Sequence, residues 1–147
     1  MIASSLLFPF RKCIGIEYLE QLNNIGLNIF NKTANKFDYK IKNSELFPLH
    51  VDESNNFIIP EIFLVHGDFL KVDWSDGDVI FANSTCYTNE LMYALSKKAQ
   101  ELNPGAIVIT FTKRLPNLQS NRWELKDGFR RLMSWGIATV YFHKKIA

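Results

Sequence analysis

The middle of the chain contains two short apolar runs that each end in a polar residue, and this pattern constrains the fold more than any other. The first run, Ile62 to His66, is followed by Asp68, and the second, Asp78 to Ala82, is followed by Asn83. Apolar runs of this length are typical of buried strands in a parallel sheet. In open α/β sheets the ligand site lies beyond the carboxyl ends of the strands. Asp68 and Asn83 are therefore candidate ligand contacts.

Other apolar segments alternate between strand-like and helix-like spacing. A buried parallel strand is predicted at Cys13 to Ile16, ending at Glu17. A further strand is predicted at 106–110, and a terminal antiparallel hairpin at 123–125 and 137–142. Helical spacing predicts helices within 2–10, 19–30 and 91–102, the last capped by Thr88 and stopped by Asn103-Pro104-Gly105. Polar residues dominate after the second of these helices, so a flexible insertion is predicted over 31–61. The alternation indicates an α/β fold with a mostly parallel sheet.

Composition bounds the class of protein. The chain has 147 residues, 47% hydrophobic and 22% charged, which is ordinary for one soluble globular domain. A net charge of +2 is too small to argue for nucleic acid as a partner. The apolar segment from Met1 to Phe10 is too short to span a bilayer and lacks a basic n-region and a cleavage site. A secreted protein is therefore not expected.

No metal site is predicted from the residues that could ligate one. Cys13 and Cys86 lack metal-ligand spacing and lie in apolar surroundings, which favours buried free thiols in a reducing compartment. The three histidines are far apart in sequence and are expected to be structural. They are His50, His66 and His143.

Three strand-end residues carry the candidate binding chemistry, and each has a structural alternative. The carboxylate of Glu17 can accept hydrogen bonds from both ribose hydroxyls of a nucleoside, or it can cap the next helix. Asp68 can accept from an adenine amino group, or it can be a turn residue after Gly67. The amide of Asn83 can orient an acceptor nitrogen or hold one end of the methyl donor, or the residue can begin a helix in a Ser/Thr-rich turn. Their order along the chain, each at a strand end, favours a nucleoside-binding site.

Other residues give weaker indications of function. Tyr87 can line a substrate channel, although an aromatic beside a strand end is more often packing. Lys113 and Arg114, after the strand at 106–110, can meet an acidic substrate or mark a solvated strand terminus. Trp74 and Trp135 are expected to be core or rim aromatics.

At these residues the chain resembles the class I S-adenosylmethionine-dependent methyltransferases, and more narrowly the Dot1-like branch, whose members methylate a histone H3 lysine. The run from Arg11 to Glu20 is similar to the family's second strand, with its ribose-binding acid at Glu17. Gly67-Asp68-Phe69 is similar to the adenine-side motif. The run from Asp78 to Ser84 resembles the strand that carries a paired-Asn motif, with Ser84 in place of the second Asn.

The resemblance implies S-adenosyl-L-methionine as cofactor, bound by Glu17, Asp68, Phe69 and Asn83, and catalysis by Asn83 and Tyr87. It implies a histone or another protein as substrate and the nucleus as location, with the cytoplasm as the alternative. No membrane partner is expected.

The resemblance also implies that part of the enzyme is missing. Met1 falls inside what resembles the helix after the family's Gly-rich loop, and the absent first strand belongs between the strands ending at Glu17 and Asn83. We therefore expect a single incomplete domain: a Rossmann-like methyltransferase sheet, mostly parallel with a C-terminal antiparallel hairpin, lacking the first strand and the Gly-rich loop. Such a chain is expected to bind the cofactor weakly or not at all and to be inactive alone.

A second class of function remains open. The chain can be a non-catalytic remnant of the fold that acts as a protein-interaction module, with a partner or a second copy covering the open sheet edges. An ordinary dinucleotide-binding domain is disfavoured, because no Gly-x-Gly-x-x-Gly occurs in the sequence.

Overall fold

The structure is a computed structural model that describes residues 10–34, 40–42, 45–47, 61–134 and 136–147. Its chain divides into two compact units, Met1–Val72 and Asp73–Ala147. The helix predicted within 2–10 and the side chains of His50 and Trp135 lie outside the described residues. No helix in the described ranges is long and apolar enough to cross a membrane.

The first unit is a four-stranded sheet with one helix. Its elements are β1 (Lys12–Glu17), α1 (Glu20–Ala34), β2 (Lys40–Lys42), β3 (Glu45–Phe47) and β4 (Glu61–His66). The strand order is β1-β4-β3-β2, and β1 runs parallel to β4 with Lys12 opposite Glu61 and Glu17 opposite His66. The strands predicted at 13–16 and 62–66 are confirmed. Their parallel pairing brings their carboxyl ends to one edge.

The flexible insertion over 31–61 stays a prediction, and the described part of that range contains regular secondary structure. Helix α1 continues to Ala34, and two short strands follow, β2 paired antiparallel with β3 and β3 with β4. Each of these strands has only three residues, mixed with charges, so their composition carries no strand signal. Their order comes from pairing with a neighbouring strand, which a single-sequence pattern does not reveal.

Strand β1 is an edge strand among the described strands, and the prediction that it is buried is wrong. Ile14 is 36% exposed, and β1 has one hydrogen-bonded neighbour in the described sheet, β4. Helix α1 also leaves an apolar stripe half-exposed, with Leu22, Ile25 and Ile29 at 50%, 52% and 56%. The spacing of three and four residues places these side chains on one face of the helix.

The second unit is another four-stranded sheet with a helix. Its elements are β5 (Val79–Ala82), a 3₁₀ turn (Ser84–Cys86), α2 (Asn89–Ala99), β6 (Ile107–Phe111), β7 (Trp123–Met133) and β8 (Gly136–Lys145). The order is β5-β6-β8-β7, with β5 parallel to β6 and the terminal hairpin of β7 and β8 antiparallel. The strands at 78–82 and 106–110 and the hairpin are confirmed, with longer hairpin strands than predicted.

The α/β class is confirmed, but the expectation of a mostly parallel sheet is wrong for the described strands. Two of the six strand pairs in the described ranges are parallel, β1 with β4 and β5 with β6. The two short strands of the first unit and the long hairpin of the second supply the antiparallel pairs.

Helix α2 begins as predicted and ends earlier. The hydroxyl of Thr88 accepts a hydrogen bond from the main-chain N–H of Leu91, which is an N-cap. The helix ends at Ala99, and the turns that follow keep Leu102 buried, so the apolar periodicity continues past the helix. The ammonium of Lys145 donates to the carbonyl oxygens of Gln100 and Leu102 at 2.7 and 2.5 Å. A buried lysine on β8 therefore satisfies carbonyls beyond the helix end.

His143 is a buried structural residue, as predicted. It is 1% exposed; the Leu115 N–H donates to its Nε2 at 3.1 Å, and its Nδ1 lies 3.1 Å from the carbonyl oxygen of Val108. Because Nε2 accepts, the proton is on Nδ1 and the ring is neutral. Burial is the main cause that lowers the pKa of His143 below its ordinary value of 6.5.

The two thiols are free, but the prediction that both are buried is wrong. Cys13 is half-buried in β1, and burial raises the pKa of its thiol. Cys86 is exposed at the end of the 3₁₀ turn. Its position outside the strand explains the difference, because the apolar run that suggested burial ends at Ala82.

Candidate functional site

Glu17 lies at the carboxyl end of β1 and takes part in the turn into α1. Its Oε1 accepts a hydrogen bond from the Leu19 N–H at 2.8 Å, and its carbonyl oxygen accepts from the Gly67 N–H at 2.9 Å. The helix-entry alternative is therefore realised by one carboxylate oxygen. The second oxygen, Oε2, gives Glu17 the capacity for a ligand contact.

Asp68 lies at the same edge of the first sheet, two residues past the end of β4. Its Oδ1 accepts from the Leu70 N–H at 2.9 Å, and its carbonyl oxygen accepts from the N–H groups of Lys71 and Val72. Its Oδ2 lies 4.0 Å from the Lys71 ammonium, which is largely exposed. The role of Asp68 as a turn residue is therefore confirmed for Oδ1. This hydrogen bond fixes the orientation of the carboxylate before any ligand binds. Phe69, next in the chain, is half-buried.

Asn83 follows β5 and precedes the 3₁₀ turn. Its side chain is exposed and makes no capping hydrogen bond to that turn, so the helix-entry alternative does not account for its amide. Its Oδ1 lies 3.5 Å from the hydroxyl of Thr85, which donates to it. The binding role of Asn83 stays a prediction.

Ser84 has a structural role that the sequence pattern did not reveal. It is fully buried, and its hydroxyl donates to the Phe111 carbonyl oxygen at 2.8 Å and accepts from the Phe111 N–H at 3.0 Å. This reciprocal pair ties the end of β5 to the end of β6. The Ser84 hydroxyl is therefore engaged within the fold.

Thr112 was not among the predicted residues, yet it stands beside Asn83 at the carboxyl ends of β5 and β6. Its backbone has φ of 66°, and its hydroxyl donates to the Thr85 hydroxyl at 3.3 Å. The strand-end rule that selected Asn83 applies equally to the end of β6. The strand predicted at 106–110 ends two residues before Thr112.

Lys113 and Arg114 are occupied by contacts within the second unit. The Lys113 ammonium donates to the Tyr87 carbonyl oxygen at 2.5 Å and to Asn89 Oδ1 at 3.3 Å. The Arg114 guanidinium lies 5.1 Å from the centre of the Tyr141 ring. These contacts give both cations a role within the fold. The Lys113 contact also fixes the main chain of Tyr87, whose side chain is half-buried.

The remaining candidates have structural explanations. Trp74 is buried, as expected for a core aromatic, and the Nε2 of His66 lies 3.1 Å from the Tyr18 carbonyl oxygen. Within the described ranges, no group of three or more His, Cys, Asp or Glu side chains could hold a metal ion.

The predicted site residues fall into two groups by unit. The first unit holds Glu17, Asp68 and Phe69 at the shared carboxyl edge of β1 and β4. The second unit holds Asn83 and Tyr87 at the carboxyl end of β5, with Thr85 and Thr112 beside them.

Comparison with known proteins shows a similarity of fold. No family model matches the sequence, and no curated protein matches it significantly. The structure resembles that of HI0767 from Haemophilus influenzae, a candidate methylase, with a TM-score of 0.56, 16% identity, and coverage of 93% of this chain and 74% of that chain. It also resembles yhhF from Escherichia coli, a candidate methyltransferase, with a TM-score of 0.55, 12% identity, and coverage of 93% and 66%.

These similarities concern architecture. At such identities they show that the chain has an α/β fold similar to that of the two bacterial proteins. The chain spans about three quarters of one and about two thirds of the other. Activity, cofactor and substrate must be argued from the residues of this chain.

Proposed function

We propose that this chain belongs to an S-adenosylmethionine-dependent methyltransferase and supplies contacts to the adenosine half of the cofactor. The observation that carries the proposal is the pair of carboxylates, Glu17 and Asp68, at one carboxyl edge of two parallel strands. The similarity of fold to two candidate methyltransferases supports it.

The two carboxylates are suited to a nucleoside because each has one oxygen held by the main chain. Glu17 Oε1 and Asp68 Oδ1 each accept from an N–H two residues onward. Binding then costs little conformational entropy, since the turns already fix the side chains. Glu17 Oε2 would accept from the ribose hydroxyls, and Asp68 Oδ2 would accept from the adenine amino group. Phe69 would offer its ring to the base.

In the second unit, Asn83 and Tyr87 are proposed to face the methyl acceptor. The protein's part in methyl transfer is chiefly positioning, which holds the sulfonium methyl in line with a deprotonated acceptor nitrogen. Asn83 would orient that nitrogen through its amide. S-Adenosylmethionine supplies the methyl group; the chain's residues supply orientation.

Histone lysine methylation and nuclear location are the finer form of the proposal, and they rest on the resemblance to the Dot1-like branch. Because Ser84 is engaged with Phe111, selection of a lysine side chain would fall to Asn83 without help from a second amide. A histone or another protein is the substrate this form implies.

The chain's share in cofactor binding is proposed to end with adenosine. Glu17, Asp68 and Phe69 are assigned to the ribose and the adenine base, and none of them is assigned to the methionine part. We expect the 147-residue chain alone to bind adenosine weakly and to transfer no methyl group.

The proposal is tested by titrating the ¹⁵N-labelled chain with adenosine and following amide shifts by NMR. In Glu17→Gln and Asp68→Asn the amide oxygen can keep the turn bond, while the second acceptor oxygen becomes an N–H donor. Each variant should weaken binding about 10–100-fold, the effect of a hydrogen bond to a charged group of about 1.5–3 kcal/mol.

A matched control comes from the other end of the same strands. Glu61 is an exposed carboxylate at the amino end of β4, opposite Lys12. Glu61→Gln should leave adenosine binding unchanged. Shifts that do not depend on Glu17 or Asp68, or no shifts at millimolar adenosine, would contradict the proposal.

A second candidate function is an interaction module, and the half-exposed stripe on α1 favours it. Leu22, Ile25 and Ile29 form this stripe, and β1 is an edge strand among the described strands. A partner or a second copy would cover such surfaces. Light scattering over a range of protein concentrations tests whether a second copy of the chain binds to this stripe.

If the chain associates with a second copy through this stripe, Ile25→Lys should abolish concentration-dependent association. The control Asn28→Lys, at an exposed polar position of the same helix, should leave association intact. A chain that stays monomeric throughout would count against self-association through this stripe.

A further inference from the structure

Thr112 occupies a backbone conformation that threonine strongly disfavours. Its φ is 66°, and the N–H of Lys113 donates to the carbonyl oxygen of Phe111 at 2.6 Å. A hydrogen bond from residue i+2 to residue i across a residue of positive φ defines the rare, strained γ-turn. For a β-branched residue this conformation is a genuine outlier.

Contacts on every side hold this γ-turn in place. The Phe111 peptide groups before it are bonded to the Ser84 hydroxyl, and the Thr112 N–H donates to the Thr139 carbonyl oxygen at 2.7 Å. The Thr110 hydroxyl donates to the Lys113 carbonyl oxygen at 2.7 Å. Strained backbone persists only where its surroundings over-determine it, and such positions concentrate at functional sites.

The choice of residue is the informative point. Glycine would adopt this φ without strain, yet the chain carries threonine. Packing does not explain the choice, since the Thr112 side chain is exposed. What threonine adds is a hydroxyl 3.3 Å from that of Thr85, which in turn lies 3.5 Å from Asn83 Oδ1.

We propose that Thr112 is a positioning residue for Asn83. It begins a row of hydrogen bonds, from the Thr112 hydroxyl to the Thr85 hydroxyl to the Asn83 amide oxygen, that spans the carboxyl ends of β6 and β5. The strained turn fixes the start of the row, and the row orients the Asn83 amide. This inference rests on the proposed role of Asn83 toward the methyl acceptor.

The distances in the row suit a site that tightens on binding. Both are longer than the usual 2.5–3.0 Å of hydroxyl hydrogen bonds, so the row holds Asn83 loosely in the free protein. Hydrogen bonds in unliganded sites are often long and shorten in the complex. The hydroxyl hydrogens of Thr112 and Thr85 both point along the row. A ligand can therefore be bound by lone pairs of the row's oxygen atoms and by the Asn83 NH₂ group.

The first arm of the test measures strain. In the full chain, Thr112→Gly should raise the melting temperature by about 2–6 °C, because glycine removes the strain at positive φ. The matched control is Asn117→Gly, since Asn117 also has positive φ, at 57°, but belongs to the residue type that tolerates it. Its melting temperature should rise less than that of Thr112→Gly.

The second arm of the test measures whether the Thr112 hydroxyl positions the Asn83 side chain. Backbone strain alone would not change the Asn83 signals. Thr112→Val keeps the shape and removes the hydroxyl, and it should shift the side-chain amide signals of Asn83 in ¹H–¹⁵N spectra. Thr112→Ser keeps the hydroxyl and should leave those signals close to wild type. Thr85→Val should reproduce the shifts of Thr112→Val.

The two arms decide the proposal without any cofactor. Unchanged Asn83 signals in Thr112→Val, or equal changes in the valine and serine variants, would overturn it. So would a Thr112→Gly variant that melts no higher than wild type. Failure of adenosine to bind would count against the methyltransferase proposal while leaving these readouts intact, so the two failures are distinguishable.

Discussion

Replacing Ser84 with alanine tests the connection between β5 and β6. The substitution removes both hydrogen bonds between the Ser84 hydroxyl and the Phe111 peptide groups and leaves a nearly isosteric methyl group. The Phe111 carbonyl oxygen still accepts a hydrogen bond from the Lys113 N–H, so losing the bond from Ser84 costs little at this oxygen. The buried Phe111 N–H loses the partner that the structure shows for it, at a cost of about 1–3 kcal/mol.

Urea unfolding measures this cost directly. With a slope of about 2 kcal/mol per molar, a loss of about 2 kcal/mol lowers the midpoint by about 1 M while leaving the slope unchanged. The control is Thr85→Ala, whose hydroxyl makes only long contacts at 3.3 and 3.5 Å and should change stability by less than about 0.5 kcal/mol. Equal midpoints for Ser84→Ala and wild type would refute the reasoning.

Three further predictions concern Lys145, His143 and Thr88 of the second unit. Lys145→Met should destabilise the chain by about 1–3 kcal/mol, because two carbonyls beyond α2 lose their donor, while the exposed neighbour Lys144→Met should change little in the same urea titration. The pKa of His143 is below 6.5 in the folded state, so as the pH falls the unfolded state binds a proton at this histidine first. The free energy of unfolding should therefore be at its full value above pH 6.5 and decrease below pH 6.5 by at most about 1.4 kcal/mol per pH unit. It should level off below the pKa of the folded state. This dependence should disappear in His143→Gln. Thr88→Ala should cost about 1 kcal/mol by removing an N-cap, and Thr88→Ser should restore most of it, as thermal melts would show.

The elements that the sequence predicted are those whose signal is local. The strands at 62–66, 78–82 and 106–110 are continuous apolar runs, and the Thr88 cap follows from residue type alone. The short strands β2 and β3 were missed because three-residue strands derive their order from pairing partners. Helix α2 was predicted too long because Leu102 is buried beyond the last helical turn.

In the candidate site, too, the sequence predicts the local features and not those that depend on distant contacts. The carboxyl-end rule selected Glu17, Asp68 and Asn83 correctly as strand-end residues, but it treated ligand contact and turn formation as alternatives. The structure shows that one carboxylate oxygen of each residue serves the turn, which leaves the role of the other oxygen open to a ligand. The role of Ser84 depends on a contact with Phe111, which lies 27 residues away and which no spacing rule contains. The strain at Thr112 is a property of the backbone, and its residue type gives no warning of it.

Calorimetric titration of the whole chain with adenosine and, separately, with S-adenosylhomocysteine tests the central claim most directly. If this chain supplies the adenosine side of the cofactor site and no cradle for the methionine part, the two ligands bind with similar, weak affinity and raise the melting temperature equally. Micromolar binding of S-adenosylhomocysteine with much weaker binding of adenosine would contradict that division, and no heat from either ligand would contradict the site itself.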